Sequence, residues 1–296
     1  MIASYLSRQA GLFENYLKEQ CSLAGTAADN AAILKEAMTY SLLAGGKRLR
    51  PVLTMGACEL FSREVEKVFP LAVAVEMIHT YSLIHDDLPA MDDDNFRRGR
   101  PTNHKVYGEG IAILAGDALL TDAFGLVAAM DSIDERVRCE LVFRLSRAAG
   151  SEGMVAGQAI DLACEGRQDV SAELLFDLHR RKTGELITFS VVAGGLVGGA
   201  GQEDLSRLEN YGKAIGLAFQ IADDILDETA TSEQMGKDAG SDRQKQKLTS
   251  VSLLGLDESR RLLAELVAEA VVSLNPYGDR SRRLQQIAHY IADRNN

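Results

Sequence analysis

Apolar positions along this chain recur at helical intervals and almost never alternate. Leu208, Ile215, Phe219, Ala222 and Leu226 step by seven, four, three and four, the spacing of one helix face, and no sustained period-two run suggests a sheet. Residues 71–84, 111–130 and 186–197 are apolar on more than one side, which predicts helices buried on several sides or facing another subunit. Prolines stand only at 51, 70, 89, 101 and 276, so helices can run through 102–275 without a breaker. Gly212 and Gly216, one turn apart, allow a neighbouring helix or a ligand to approach the backbone closely. No low-complexity linker or composition shift marks a boundary. The pattern predicts one all-α domain over 1–296 with roughly ten helices.

Composition narrows the class. Hydrophobic residues at 46% and charged residues at 25% are globular values. The net charge of −11 argues against a nucleic-acid partner and against adhesion to an anionic membrane. Cysteines at 21, 58, 139 and 164 form no CxxC pair, which suits reduced thiols and a cytoplasmic location. The first twenty residues carry charge from Arg8 onward and lack the apolar core of a signal peptide. The charge-free stretch 186–202 is too short and too glycine-rich to span a bilayer, which takes about 20 apolar residues. No membrane anchor is expected.

The candidate chemistry lies in two acidic groups, HDDLPAMDDD at 85–94 and ADDILD at 222–227. Each follows an apolar helical run, and uncompensated carboxylates near a helix C-terminus are disfavoured by roughly 0.3–1 kcal/mol each. A cation belongs there. On an ideal helix Gly216, Gln220, Asp223, Asp224 and Asp227 fall within an arc of about 100°, one continuous stripe of oxygen donors. Pro89 clashes with the carbonyl of residue 85 in a helix, so the chain must bend, which can bring Asp92 back towards Asp86. Carboxylates without His or Cys suit Mg²⁺, which binds protein through one or two of them and takes its other ligands from water and substrate phosphates. The glycine-punctuated spacing of an EF-hand is absent.

Fixed cations complement the acids: GGKRLR at 45–50, RRGR at 97–100, KTG at 182–184, Gly236-Lys237, Lys245 and Lys247. Arginine forks and lysine point charges both suit diphosphate oxygens. In these motifs the chain resembles the trans-isoprenyl diphosphate synthases, most closely the bacterial farnesyl diphosphate synthases. The matching segments are GGKRLRP at 45–51, IHTYSLIHDDLPAMDDD at 78–94, RRGRPTNH at 97–104, GQAIDL at 157–162, KTGEL at 182–186, FQIADDILD at 219–227 and GKDAGSD at 236–242. The resemblance runs from about residue 30 to the end. It implies a homodimeric all-α isoprenoid synthase fold around a deep central cavity. It also implies Mg²⁺-dependent condensation of isopentenyl diphosphate with dimethylallyl or geranyl diphosphate to give farnesyl diphosphate.

By matching motif, Asp86 and Asp92 would ligate two Mg²⁺ ions on the allylic diphosphate and Asp223 a third, with Asp87 and Asp227 behind them or as occasional ligands. Mn²⁺ can substitute. Arg97, Lys182, Thr183, Gln220, Lys237 and Lys247 would hold the allylic substrate. Gly46, Lys47, Arg50, His79 and Arg98 would hold isopentenyl diphosphate, and His79 shares a helix face with Ser82 and Asp86. One departure stands out: where the family reads Thr-Tyr-Pro this chain has Thr249-Ser250-Val251, so the conformation of the 228–250 loop does not carry over.

The reaction so implied expels diphosphate from an allylic carbon. Metal ions and the basic residues, Lys182 and Arg97 among them, stabilise the leaving group, and an apolar cavity shelters the carbocation from water. The C3–C4 double bond of isopentenyl diphosphate attacks, and the departing diphosphate accepts the proton that is lost. Tyr81, five residues before Asp86, would form the cavity floor and stop growth at fifteen carbons. An ideal helix sets it about 7.5 Å along the axis from Asp86 but turns it about 140° away, whereas Ser82 is better aligned and small. The rivals are a geranylgeranyl diphosphate synthase, a terpene cyclase and a non-catalytic partner subunit of a heterodimeric synthase. The cyclase would replace the second aspartate motif and bring more aromatics than the 6% present. The partner subunit would lose one or both aspartate motifs, and both are intact.

Overall fold

Helices take up almost all of the described chain, as the spacing of its apolar positions requires. The computed structural model describes residues 2–23, 31–167, 169–229 and 249–293. In chain order the first helices are α1 (Ile2–Leu23), α2 (Ala32–Leu42), α3 (Leu49–Glu59), α4 (Phe69–Asp86), α5 (Asn103–Tyr107), α6 (Glu109–Ala128) and α7 (Glu135–Ala149). Then come α8 (Met154–Cys164), α9 (Ala172–His179), α10 (Glu185–Gly198), α11 (Gln202–Thr229), α12 (Ser250–Leu254), α13 (Leu256–Ser273) and α14 (Arg282–Asp293). These fourteen, counted among the described residues, exceed the expected ten partly because α5 and α12 have only five residues each, too few for a hydrophobic repeat to register.

The chain divides into two compact units. The first comprises Ala3–Met55 and Glu64–Val142, with α4 packed on α6 and α2. Pro70 occupies the first turn of α4, where a missing N–H is no loss, and residues 71–78 are all buried. Glu76 is the one charged member of that run. Arg48 compensates it: Nη1 donates to Glu76 Oε1 at 2.5 Å and Nη2 to the Leu42 carbonyl at 2.9 Å. Burying this pair is tolerable because its hydrogen bonds are made within the protein. Within this chain α6 is buried on one side only. Ala112, Ala115, Gly116, Leu119 and Ala123 face the core, but Ile113 and Leu114 are 44% and 52% exposed. By length and composition alone Val65–Asp86 and Glu109–Ala128 could each cross a membrane. The first of them contains α4, the central helix of this unit.

The second unit comprises Gly56–Arg63 and the chain from Phe143 onward. Residues 186–195 of α10 are buried without interruption, as their all-round apolar character predicts. The long helix α11 packs on both α10 and α13. Gly212 and Gly216 make the first contact possible: a Cβ on them would lie 2.7 Å from Thr188 Cα and 2.8 Å from Gly184 Cα. A helix, and not a ligand, therefore occupies the space those glycines leave. One turn of π-helix, Arg180–Gly184, joins α9 to α10.

Candidate active site

In the first unit the acidic group follows the end of α4. Asp87 caps the helix, because Pro89 bars another turn. The backbone N–H of Asp92 then donates to the Asp86 carbonyl at 2.8 Å, and that of Asp93 to the Leu88 carbonyl at 3.1 Å. The bend expected at Pro89 thus returns Asp92 to Asp86. Both are partly buried, whereas Asp87 is buried. Arg97 Nε donates to both Asp87 oxygens, at 2.7 and 2.9 Å, and Nη2 lies 2.6 Å from Oδ1. Asp87 is therefore engaged by a guanidinium. Arg97, expected on the allylic diphosphate, is held by Asp87 and, at 3.5 Å, by Asp94.

Arg97 begins a small antiparallel ribbon, β1 (Phe96–Arg97) and β2 (Arg100–Pro101). Its two turn residues, Arg98 at φ +54° and Gly99 at φ +73°, are both left-handed, as a two-residue hairpin of this kind demands. The conformation costs a non-glycine residue about 1–2 kcal/mol, and here it sets the Arg98 guanidinium against Gly45 and Gly46. Nη1 donates to the Gly45 carbonyl, and a Cβ on Gly46 would lie 2.7 Å from Arg98 Cζ. His79 stands in the same positive field. Burial first, then Arg50, Arg98, Arg97 and Arg48, hold its imidazole well below its usual pKa of 6.5, so it is neutral at pH 7. Gly46, Arg50, His79 and Arg98 are thus gathered in one unit, with Lys47 exposed beside them.

Tyr81 is buried, and among the described residues its hydroxyl has no hydrogen-bond partner. Its ring meets His85 edge-on at 5.8 Å. Burial and then the Asp86 charge push the phenol up to about 12, so it is uncharged at neutral pH. Ser82 spends its hydroxyl on the His79 carbonyl at 2.9 Å.

In the second unit the basic motif lies in the π turn. Widening of the helix there aims Lys182 at Asp161 on α8, with Nζ 2.6 Å from Oδ2. It aims Thr183 at α11, where its hydroxyl donates to Gln220 Oε1 at 3.0 Å. Functional sites often use such bulges. The predicted stripe on α11 divides by surroundings. Gly216 packs on Gly184, Asp223 and Asp227 are partly buried, and Asp224 is buried. Lys237 and Lys247 lie outside the described residues.

Comparison with known proteins decides the family. The model for "Polyprenyl synthetase" matches residues 31–274. This chain belongs to the polyprenyl synthetase family. It is 49% identical to a farnesyl diphosphate synthase of Geobacillus stearothermophilus, across 85% of this chain and 87% of the relative. It is 46% identical to a chloroplastic geranylgeranyl pyrophosphate synthase of Catharanthus roseus, across 96% and 82%. The solved structure of an FPP/GFPP synthase from Zymomonas mobilis superposes with a TM-score of 0.87 at 38% identity, covering 98% of each chain. The protein is accordingly a prenyltransferase of the short-chain trans-prenyl diphosphate synthase type.

Within this polyprenyl synthetase, two contacts were not readable from the motifs. Asp161 was visible inside GQAIDL, four residues after Gly157, yet nothing in sequence linked it to Lys182. Asp224 was placed on the donor stripe, but its burial and its bonds to Gln220 and Ser250 depend on packing.

Proposed function

We propose that this prenyltransferase condenses isopentenyl diphosphate with dimethylallyl and then geranyl diphosphate, and releases farnesyl diphosphate as its main product. The observation that carries the chain length is the buried Tyr81 ring, five residues before Asp86, a bulky group whose hydroxyl makes no hydrogen bond among the described residues. The donor set favours Mg²⁺, with Mn²⁺ as a substitute. Asp86, Asp92, Asp223 and Asp227 offer only carboxylate oxygens, and the nearby His85 turns its Nε2 to the Ile113 carbonyl, 3.1 Å away. Among the described residues no three His, Cys, Asp or Glu side chains converge into a ready cage. That suits an ion that takes its remaining ligands from substrate phosphates. When bound, Mg²⁺ would supply the charge that lets diphosphate leave the allylic carbon.

The chain's own residues do the positioning. Lys182, Thr183 and Gln220 hold the allylic diphosphate. Arg50, Arg98 and Lys47 hold isopentenyl diphosphate, and neutral His79 adds a hydrogen bond there. Homodimer formation through α6 is part of the same reading, since Ile113 and Leu114 expose apolar surface that a second copy would cover. Sedimentation at twice the 32.1 kDa chain mass is the check. The geranylgeranyl alternative draws support from the name of the Catharanthus relative. Labelled isopentenyl diphosphate, offered with each allylic acceptor and analysed by product length, separates the two. Wild type should give mainly C15 and Tyr81→Ala mainly C20 and longer. A wild-type C20 product rejects the farnesyl assignment, and an unchanged C15 product from Tyr81→Ala places the floor elsewhere.

A further inference from the structure

Asp224 differs from its neighbours in the second acidic group by its burial, at only 4% exposed. Both its oxygens accept hydrogen bonds within the protein. Oδ1 accepts from Gln220 Nε2 at 3.2 Å, and Oδ2 accepts the backbone N–H of Ser250 at 2.7 Å. Asp223 and Asp227 keep partial exposure, as an oxygen that is to reach an ion must.

The Ser250 contact has a local reason. Ser250 opens α12, and the first N–H groups of a helix lack intrahelical acceptors. Thr249 caps the helix by accepting from Ser252 N at 3.1 Å, and Ser252 Oγ accepts from Thr249 N at 3.0 Å. This capping box satisfies Ser252 and Thr249 but leaves the Ser250 N–H to Asp224. A carboxylate is the strongest acceptor the chain has for it. The Ser250 hydroxyl is buried and makes no hydrogen bond among the described residues, so the contact is made through the backbone alone. That explains why Ser-Val can stand here in place of the Tyr-Pro of the resemblance.

The Gln220 contact sets a direction. A carboxylate accepts only, so the amide nitrogen of Gln220 must face Asp224. Its oxygen must then face Thr183, which donates to it at 3.0 Å. One carboxylate thereby orders three separate segments, at 183, 220 and 250. We propose that Asp224 is a positioning residue, which orients the Gln220 amide and pins the start of α12 to α11, and does not itself hold Mg²⁺.

Two readouts on the full chain in MgCl₂ test this: amide exchange at Ser250, and the Mg²⁺ dependence of inorganic pyrophosphate binding. Asp224→Ala should speed Ser250 exchange at least about tenfold, the scale of losing a hydrogen bond to a charged group. It should leave the half-saturating Mg²⁺ concentration within about twofold of wild type, against a tenfold or larger rise for Asp223→Ala. Asp223→Ala should leave Ser250 protected. If Asp224→Ala does not fold, Asp224→Asn keeps the volume and should give the same pattern with a several-fold exchange effect. Unchanged Ser250 exchange in the Asp224 variants, or a Mg²⁺ requirement raised as in Asp223→Ala, overturns the assignment. The metal half rests on the function proposed above. A normal Mg²⁺ requirement in Asp223→Ala overturns that reading, while Ser250 exchange still decides the tether.

Discussion

Adjacent aspartates in both acidic groups meet different surroundings: Asp86 and Asp223 are partly buried, whereas Asp87 and Asp224 are buried. Removing Asp87 leaves Arg97 without its main partner. Breaking a buried pair costs about 3–5 kcal/mol, but Arg97 retains 21% exposure and has Asp94 nearby, so about 2–4 kcal/mol is expected. Asp86→Ala should instead keep its stability and lose at least about 10²-fold in turnover. Denaturant midpoints and turnover, measured on both variants, check the contrast. Residue type and spacing made the acidic and basic groups legible, but not which member points inward. Arg48 looks like its neighbours in GGKRLR, yet it is buried on Glu76, a partner 28 residues away that no local pattern reveals.

At the scale of elements, the end of α4 was legible because proline chemistry is local. The π turn was not, since one widened turn of five residues barely disturbs the apolar spacing on either side. The α10–α11 contact was half legible: Gly212 and Gly216 announced a close approach without naming the neighbour. Gly216→Ala tests that contact. The new Cβ would sit 2.8 Å from Gly184 Cα, a backbone atom that cannot swing aside. Overpacking costs about 1–3 kcal/mol, and better helix propensity returns about 1. A net loss of up to about 2 kcal/mol in urea unfolding is expected, with reduced turnover because Gln220 and Asp223 lie on the displaced helix. Stability at or above wild type would show that the helices can separate freely.

For the whole molecule, His79 and His179 contribute to the response to acid. Burial, reinforced by Lys182 and opposed by Asp161, lowers His179 from 6.5 to about 4. Asp224 Oδ2, at 3.9 Å, is too distant to hydrogen-bond the ring. Between about pH 6.5 and 4 the unfolded chain binds a proton that folded His179 refuses, so stability falls as pH falls, by up to about 3 kcal/mol. His79, also depressed, acts with the same sign. Urea unfolding at pH 7 and pH 5 should show this loss, and His179→Gln should reduce it. An identical slope in that variant would assign the acid response to other groups.

The tether at Ser250 is made by main-chain atoms, and such a contact leaves no mark on the side chain that supplies it. Ser250→Ala keeps that amide and the small volume of the buried side chain, and should be silent in turnover. One replacement is different. Proline is ordinarily welcome in the first turn of a helix, but here it would remove the N–H that Asp224 accepts. Ser250→Pro should therefore lower turnover where Ser250→Ala does not, and equal rates for the two would mean that the amide is dispensable. A residue that only has to fit the buried space keeps the amide, whereas proline takes it away.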